Sequence, residues 1–519
     1  MPFINNSQVI INKENILENQ EAIADILNNV IQYDKILGEY VNLDEFWDRQ
    51  KDGRIYTVEF NQYITSPSPT GTKLNDNAGL VCEPSTNILK GQNDYENIGL
   101  FRAIDVNAYV DENDDYHVTA IKGDDKFQKD GTNGDVYVMS MAGYIKRVFA
   151  DDVWSLSYSD MNYSGYEILD EAVKVDGTVK SYLLHAKYIA GIGLDGKLAS
   201  ISGVPAEYGD MSHNGQITQF LSKGSQYSGK TSHDDFYTSL MFYLKYATAN
   251  NETVMKGCIS YSYTYNNLLA ETGVKRVVIT NAQANTLLIG STVEIATDTR
   301  FNITEITDLG DGNSAIYVDA DTVFDTTLST KIATKPWNAG SCDDVLGVDG
   351  SPTSVTSGKE PFVINGIEIM VGGYEVLQNL IIYNNNTDAE DYKIQVYANY
   401  DCNTYATSPD TNYDLLSLEL PQTDASWQYV SKIGVSVLHP SVIMPIESVA
   451  SSTTGFADSV YTNSPITGYR EWRSFGNLGN GSFCGLRGLY AGASLDASGW
   501  GVLGRLSATG RSHRRAGVN

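Results

Sequence analysis

The sequence is poor in cysteine, histidine, basic residues and long apolar runs, and each shortage closes off a class of protein. Five cysteines (Cys82, Cys258, Cys342, Cys402 and Cys484) are scattered along 519 residues with no short spacing, so no local zinc or redox motif is present. An odd, sparse set predicts folding in a reducing cytoplasm without disulfides. The six histidines (His117, His185, His213, His233, His439 and His513) include no HExxH spacing. Basic residues number 36 against 64 acidic ones, a net charge of −28. A nucleic-acid binder needs a basic field to release counterions, so nucleic acid is not an expected partner, and anionic lipid is disfavoured for the same reason. No run approaches the roughly 18 apolar residues of a membrane span. Met1 to Gln8 lacks the basic and apolar regions of a secretory signal. The expectation is a chain made in the cytoplasm that leaves the cell, if at all, by another route such as lysis.

What is present is a surface vocabulary. The chain carries 34 Tyr and 46 Gly against 13 Pro, with 42% hydrophobic residues, enough for a folded protein of two or three units. Tyr, Asn, Ser and Gly together suit β-rich surfaces that recognise other molecules; a β-rich fold with exposed polar loops is the plainer reading.

Residues 1–50 read as a helical attachment or oligomerisation segment. Ile16, Ile23, Val30 and Leu37 recur every seven residues, with Ile26, Tyr33 and Tyr40 three later, which predicts a helix over 9–48 with a short heptad seam. Leu17, Ala24, Leu27 and Ile31 widen that face, so packing on its own domain stands beside an oligomerising stalk. From Arg54 alternating runs predict strands at 55–60, 117–121 and 135–139. Helices are expected from the Asn214-Gly215 turn to Leu221, and from Asp234 or Asp235 through Ala247. Short strand-like runs from Val277 to Val318 mark 275–335 as a small all-β insertion. The fold class is α+β, mostly antiparallel.

Few constellations point to catalysis. Ser212-His213 are sequence neighbours whose side chains rarely face each other, and Ser232-His233-Asp234-Asp235 reads as a helix cap. The turns at 111–115, 308–311 and 319–321 lack EF-hand spacing and read as solvated turns. No metal, cofactor or catalytic residue is expected. Arg505, Arg511, Arg514 and Arg515 make the end locally basic, to be solvated or paired with acids.

The last fifty residues differ from the rest. Trp472, Phe475, Leu486, Leu489, Leu495, Trp500 and Leu506 alternate with small or polar residues. Such a segment fixes its backbone by a few anchors and leaves outward side chains free to differ, as a binding surface requires. This block resembles the variable region of proteins diversified by retroelements, phage tail receptor-binding proteins with a C-type-lectin fold of the formylglycine-generating-enzyme type. Gly485-Leu486-Arg487, Trp500 and Arg505-Leu506-Ser507-Ala508 look like the frame of that region. Gly366, Ile367, Glu368 and Gly372 fit the family's RGIEN-x-x-GN-x-W segment, from which Asn365, Ile369, Gly373 and Glu375 depart. Gly134 to Val138, Trp154 to Ser157 and Gly165 to Glu167 resemble the opening strands of such tail proteins.

The resemblance implies one lectin-type domain over 51–519, interrupted by the insertion, with a ligand-binding segment at 469–507. Its implied exchangeable residues are Asn477, Asn480, Ser482, Phe483, Gly488, Tyr490, Ser494, Asp496, Ser498, Gly499 and Gly501. It further implies a virion protein of the tail tip or fibre that binds a host-surface receptor, protein or glycan. Partners would be other tail proteins and copies of itself, a trimer by analogy. The enzymes that share the fold bind copper through a C-terminal cysteine pair; only Cys484 falls in that region, so no enzyme activity is expected. A tail or baseplate component whose C-terminus is not diversified is the alternative, and an active enzyme of the fold a more distant one.

Overall fold

The computed structural model describes residues 32–34, 39–63, 69–150, 152–296, 299–386, 392–463 and 466–512. Strands make up 37% and helices 11%, and one sheet curls into a half-barrel; the protein is mostly β. The helix expected over 9–48 needs correction where it is described. Gln32–Asp34 and Glu39–Val41 pair as antiparallel strands, Tyr33 opposite Tyr40, and only Leu43–Arg49 (α1) is helical. The heptad positions Ile16, Ile23, Val30 and Leu37, and the companion Ile26, lie outside the described residues. Tyr has strand preference, whereas α1 starts where the Asn42 side chain accepts the Glu45 amide at 2.8 Å.

Three sheets surround a central helix. The first runs, in spatial order, Glu167–Ile168, Tyr144–Phe149, Val153–Ser159, Ile55–Asn61 and Thr72–Asn75. The second runs Ser228–Gly229, Leu506–Ser507, Tyr182–Ala186, Asp135–Met141, Ile104–Val110 and Tyr116–Ile121. The third, C-terminal sheet runs Asp414–Glu419, Lys393–Ala398, Tyr374–Asn385, Gly468–Phe475, Gly485–Ala491, Ser459–Thr462 and Trp427–Tyr429, with Val502–Leu503 parallel to the start of the 374–385 strand. Strands expected at 55–60, 117–121 and 135–139 are all present.

Both helices expected in the middle form, as His213–Leu221 (α2) and Ser232–Tyr246 (α3). Thr231 and Asp234 make a capping box at the start of α3, so the cap begins one residue before the Ser-His-Asp-Asp stretch. Every residue of α3 from Ser232 to Lys245 is buried. Trp154 stacks on Phe60 at 4.2 Å and meets the Tyr243 ring edge-on at 5.2 Å, tying the first sheet to α3.

A separate β lobe begins at Thr264, where Thr264–Asn266 pairs with Lys331–Thr334. Its six-stranded sheet continues through Thr292–Ile295, Arg300–Asp308 and Asn313–Val318 to Arg276–Thr280, followed by the short helix α4 (Asn281–Ala284). Glu271–Val274 and Phe324–Thr326 form a separate pair beside it. The lobe's core (Val277, Ile279, Val293, Ile303, Ile316, Ile332) packs on Tyr261 and Trp337 of the body. All five cysteines are free thiols.

Candidate functional site

The C-terminal segment is stitched through two sheets. Gly468–Phe475 and Gly485–Ala491 are neighbours inside the third sheet, Val502–Leu503 adds to its 374–385 strand, and Leu506–Ser507 inserts into the second sheet between Tyr182–Ala186 and Ser228–Gly229. Trp472, Phe475, Leu486, Leu489, Leu495 and Leu506 are buried, as anchors must be. Trp500 is not an anchor. It is 37% exposed, because the turn closed by the Val502 amide on the Gly499 carbonyl lifts it to the surface. There its ring lies 5.0 Å from the Lys335 ammonium.

The arginines of this segment hold it by buried charge. Arg505 donates to both carboxylate oxygens of Glu375 (Nε 3.0 Å, Nη2 2.8 Å) and to the Ala186 and Glu368 carbonyls. Arg487 Nη2 donates to Asp235 at 2.9 Å and also to Ser239. Lys230 stands between them, 3.0 Å from Asp235 and 3.4 Å from Glu375. The result is a continuous buried chain of alternating charge, Arg505–Glu375–Lys230–Asp235–Arg487. Buried ions are tolerable only when paired and hydrogen-bonded in this way. Arg505 therefore does not solvate an exposed terminus; Arg511 pairs with Asp114 at 3.2 Å, and Arg514 and Arg515 lie outside the described residues. Glu375, where the sequence departs from the resembled motif, and Asp235, read as a helix-start acid, were not recognisable from sequence as the partners of Arg505 and Arg487.

On that frame sits an aromatic face. Phe483 lies parallel to Trp427 (5.5 Å, 4°) and 5.7 Å from Tyr429. Tyr490 stacks on Tyr461 at 4.9 Å and lies 5.8 Å from Trp427 and 5.6 Å from Tyr374. Phe483, Tyr490, Trp427, Tyr429 and Tyr461 are all half-buried, with ring surface left to solvent. Polar groups edge the cluster: Ser482 and Tyr429 share a hydrogen bond of 2.9 Å, and Tyr374 donates to Asn480 at 2.7 Å. Asn480 in turn accepts the Asn477 amide at 2.9 Å. Five of the expected positions (Asn477, Asn480, Ser482, Phe483, Tyr490) thus converge, together with Trp427, Tyr429 and Tyr461, which sequence reasoning missed. Their strands, Trp427–Tyr429 and Ser459–Thr462, are distant in sequence and adjacent in the sheet.

The remaining positions divide. Ser494, Asp496 and Ser498 are exposed, and Asp496 accepts a 2.6 Å bond from Asn214 at the start of α2. Gly499 is open, with nothing within 4 Å of an added Cβ, and at Gly501 the nearest atom would be Asn477 Nδ2 at 3.6 Å. Gly488 needs correction. It is buried in its strand, and a Cβ there would come 2.7 Å from the Phe475 carbonyl oxygen, so no other side chain fits without backbone movement.

Arg473 lies beneath the face, 5.7 Å from the Tyr490 ring and 5.9 Å from that of Tyr374, and is ion-paired with Glu471. Burial pushes the Glu471 carboxyl up to about 7, against the pull of Arg473 and the His213 amide.

The described residues hold one trio reminiscent of a hydrolase. Ser507 Oγ donates to Asp234 at 2.7 Å, and His185 Nδ1 lies 3.1 Å from the same carboxylate. His185 and Ser507 are cross-strand partners, but each bonds the Asp234 carboxylate, and the hydroxyl gives its proton to that acid instead of to the imidazole. All three are buried, and the trio closes the seam between α3 and the C-terminal strand. Ser212 caps α2 through the Gly215 amide. Among the described residues, no group of three or more His, Cys, Asp or Glu is placed to hold a metal ion, and no helix is long and apolar enough to cross a membrane. Burial drives the Cys484 thiol well above its ordinary value, which keeps it protonated and unreactive. No protein-family model matches the chain, and no curated protein matches it either.

Proposed function

We propose that this chain is a receptor-binding protein of a phage or prophage tail, which holds a host-surface ligand, protein or glycan, on the aromatic face around Phe483 and Tyr490. In this reading the body is a lectin-type domain of the formylglycine-generating-enzyme kind. Residues 1–50 serve attachment to other tail proteins or self-association, with a trimer favoured by analogy. The observation that supports it is the separation of roles within 468–512. Backbone position is held by buried anchors and the Arg505–Glu375–Lys230–Asp235–Arg487 chain, while Phe483, Tyr490, Ser482, Asn477 and Asn480 gather on one partly exposed patch. Aromatic rings give large contact area at low entropic cost, and Asn and Ser supply adaptable hydrogen bonds.

The test is binding to host cells. Phe483→Ala and Trp427→Ala should each weaken binding by about tenfold or more, as truncation of interface aromatics does, with the circular dichroism spectrum unchanged. Full binding by a Trp427→Ala/Phe483→Ala double variant would move the site elsewhere. Diversification is tested separately in the adjoining DNA, by a near-copy of the segment encoding Tyr469 to Ser507 that differs mainly at adenines, beside a reverse transcriptase gene.

A further inference from the structure

The β insertion carries a cavity that the receptor-binding reading does not use. It lies between two elements of the lobe, with Phe301 on the Arg300–Asp308 strand of the six-stranded sheet and Phe324 on the Phe324–Thr326 strand of the separate pair. Its volume is about 360 Å³, within the range of small-molecule sites. The two rings are half-buried and nearly parallel, 5.8 Å apart at 20°. Ile295 deepens the apolar floor, while Asp321, Asp325 and Thr330 bring polar groups to the lining. Asp325 is oriented by the Gly273 amide at 2.9 Å.

The chemistry of that lining selects its ligand. An ionised carboxylate only accepts hydrogen bonds, so the ligand must bring donors toward Asp321 and Asp325. Among the described residues the lining holds no Lys, Arg or His, Lys275 at its edge is held on the Asp321 carbonyl at 3.2 Å, and the chain carries a net charge of −28, which together disfavour anionic sugars and phosphates. The Phe faces ask for a flat apolar surface on the same molecule. A neutral pyranose ring meets all three demands: an apolar C–H face, hydroxyl donors at its edge, and no charge. We infer that the β lobe binds a neutral hexose unit of a glycan in this cavity, against the stacked Phe301–Phe324 pair, at a site separate from the aromatic face of the C-terminal sheet.

The experiment is saturation-transfer NMR and titration calorimetry on the full chain, with methyl glucopyranoside, mannopyranoside and galactopyranoside as probes. At least one should bind. Phe324→Ala should weaken that binding by about tenfold and the exposed Asp321→Asn by about threefold, the scale of losing one ring contact or one charge-assisted bond. Trp427→Ala, on the other face, should leave it unchanged. Because Phe324→Ala risks loosening the lobe, Asp321→Asn at a surface position carries the decision if the first variant misfolds. Three outcomes would overturn the inference: no probe binds, binding survives both lobe variants, or binding is lost with Trp427→Ala. Failure here leaves the host-cell binding test untouched, since that test depends on Trp427 and Phe483.

Discussion

Replacing Arg505 by methionine, similar in length but uncharged, tests the claim that buried charge fastens the C-terminal segment. The change removes two bonds to Glu375 and one each to the Ala186 and Glu368 carbonyls. It leaves Glu375 buried with only Lys230, 3.4 Å away, as a cationic partner. Breaking a buried pair from one side costs about 3–5 kcal/mol; the surviving Lys230 contact places Arg505→Met toward the lower end. The neighbouring strand Leu506–Ser507 is held by Tyr182–Ala186 and Ser228–Gly229, so local opening should expose it first. Urea denaturation followed by circular dichroism would read the global loss, and limited proteolysis the local one, as new cleavage within 492–512. Adding Glu375→Gln should recover part of the loss, since the stranded charge is removed as well. A cost of less than about 1 kcal/mol, or a double variant as unstable as the sum of the singles, would refute the role of the charge chain.

Two further outcomes follow from burial. Gly488→Ala should destabilise the fold by about 1–3 kcal/mol through overpacking against the Phe475 carbonyl, whereas Gly499→Ser should stay within about 0.5 kcal/mol, compared by thermal melting; equal effects would erase the distinction between frame and face. Burial pushes the Glu171 carboxyl up to about 8 and those of Glu368 and Glu471 to about 7, from an ordinary 4.5. The folded state then binds more protons than the unfolded one, so stability is fully present below about pH 4.5 for these groups and is lost as pH rises to 7–8. Urea midpoints should therefore fall between pH 6.5 and 8, and Glu171→Gln should flatten that slope; an unchanged slope would mean that Glu171 is ionised when folded.

Much of the scaffold was legible in sequence because it depends on local periodicity. Apolar residues at helical spacing marked α3, the Asn214-Gly215 turn marked the start of α2, alternation marked strands at 55–60 and 135–139, and short β runs marked strands of the six-stranded lobe. Trp472, Leu486 and Leu506 were recognisable as anchors because they are bulky residues among small ones. The same rule misled at Trp500, whose size says nothing of the turn that exposes it, and at Tyr33 and Tyr40, where a seven-residue spacing fits a helix but the backbone pairs as strands. Gly488 was grouped with the outward residues because a small side chain is compatible with either an open surface or a crowded strand.

The amino-acid sequence by itself determined the strand-rich class, the acidic surface, the thiols without close partners and the alternation of bulky and small residues at the C-terminus, since each is a property of neighbours along the chain. Tertiary structure decided what that alternation is for. It placed Trp427 and Tyr461 beside Phe483 and Tyr490, set Glu375 and Asp235 against Arg505 and Arg487, and faced Phe301 toward Phe324. These contacts join residues tens to hundreds of positions apart, and their geometry is set by sheet register and burial, which no local pattern encodes.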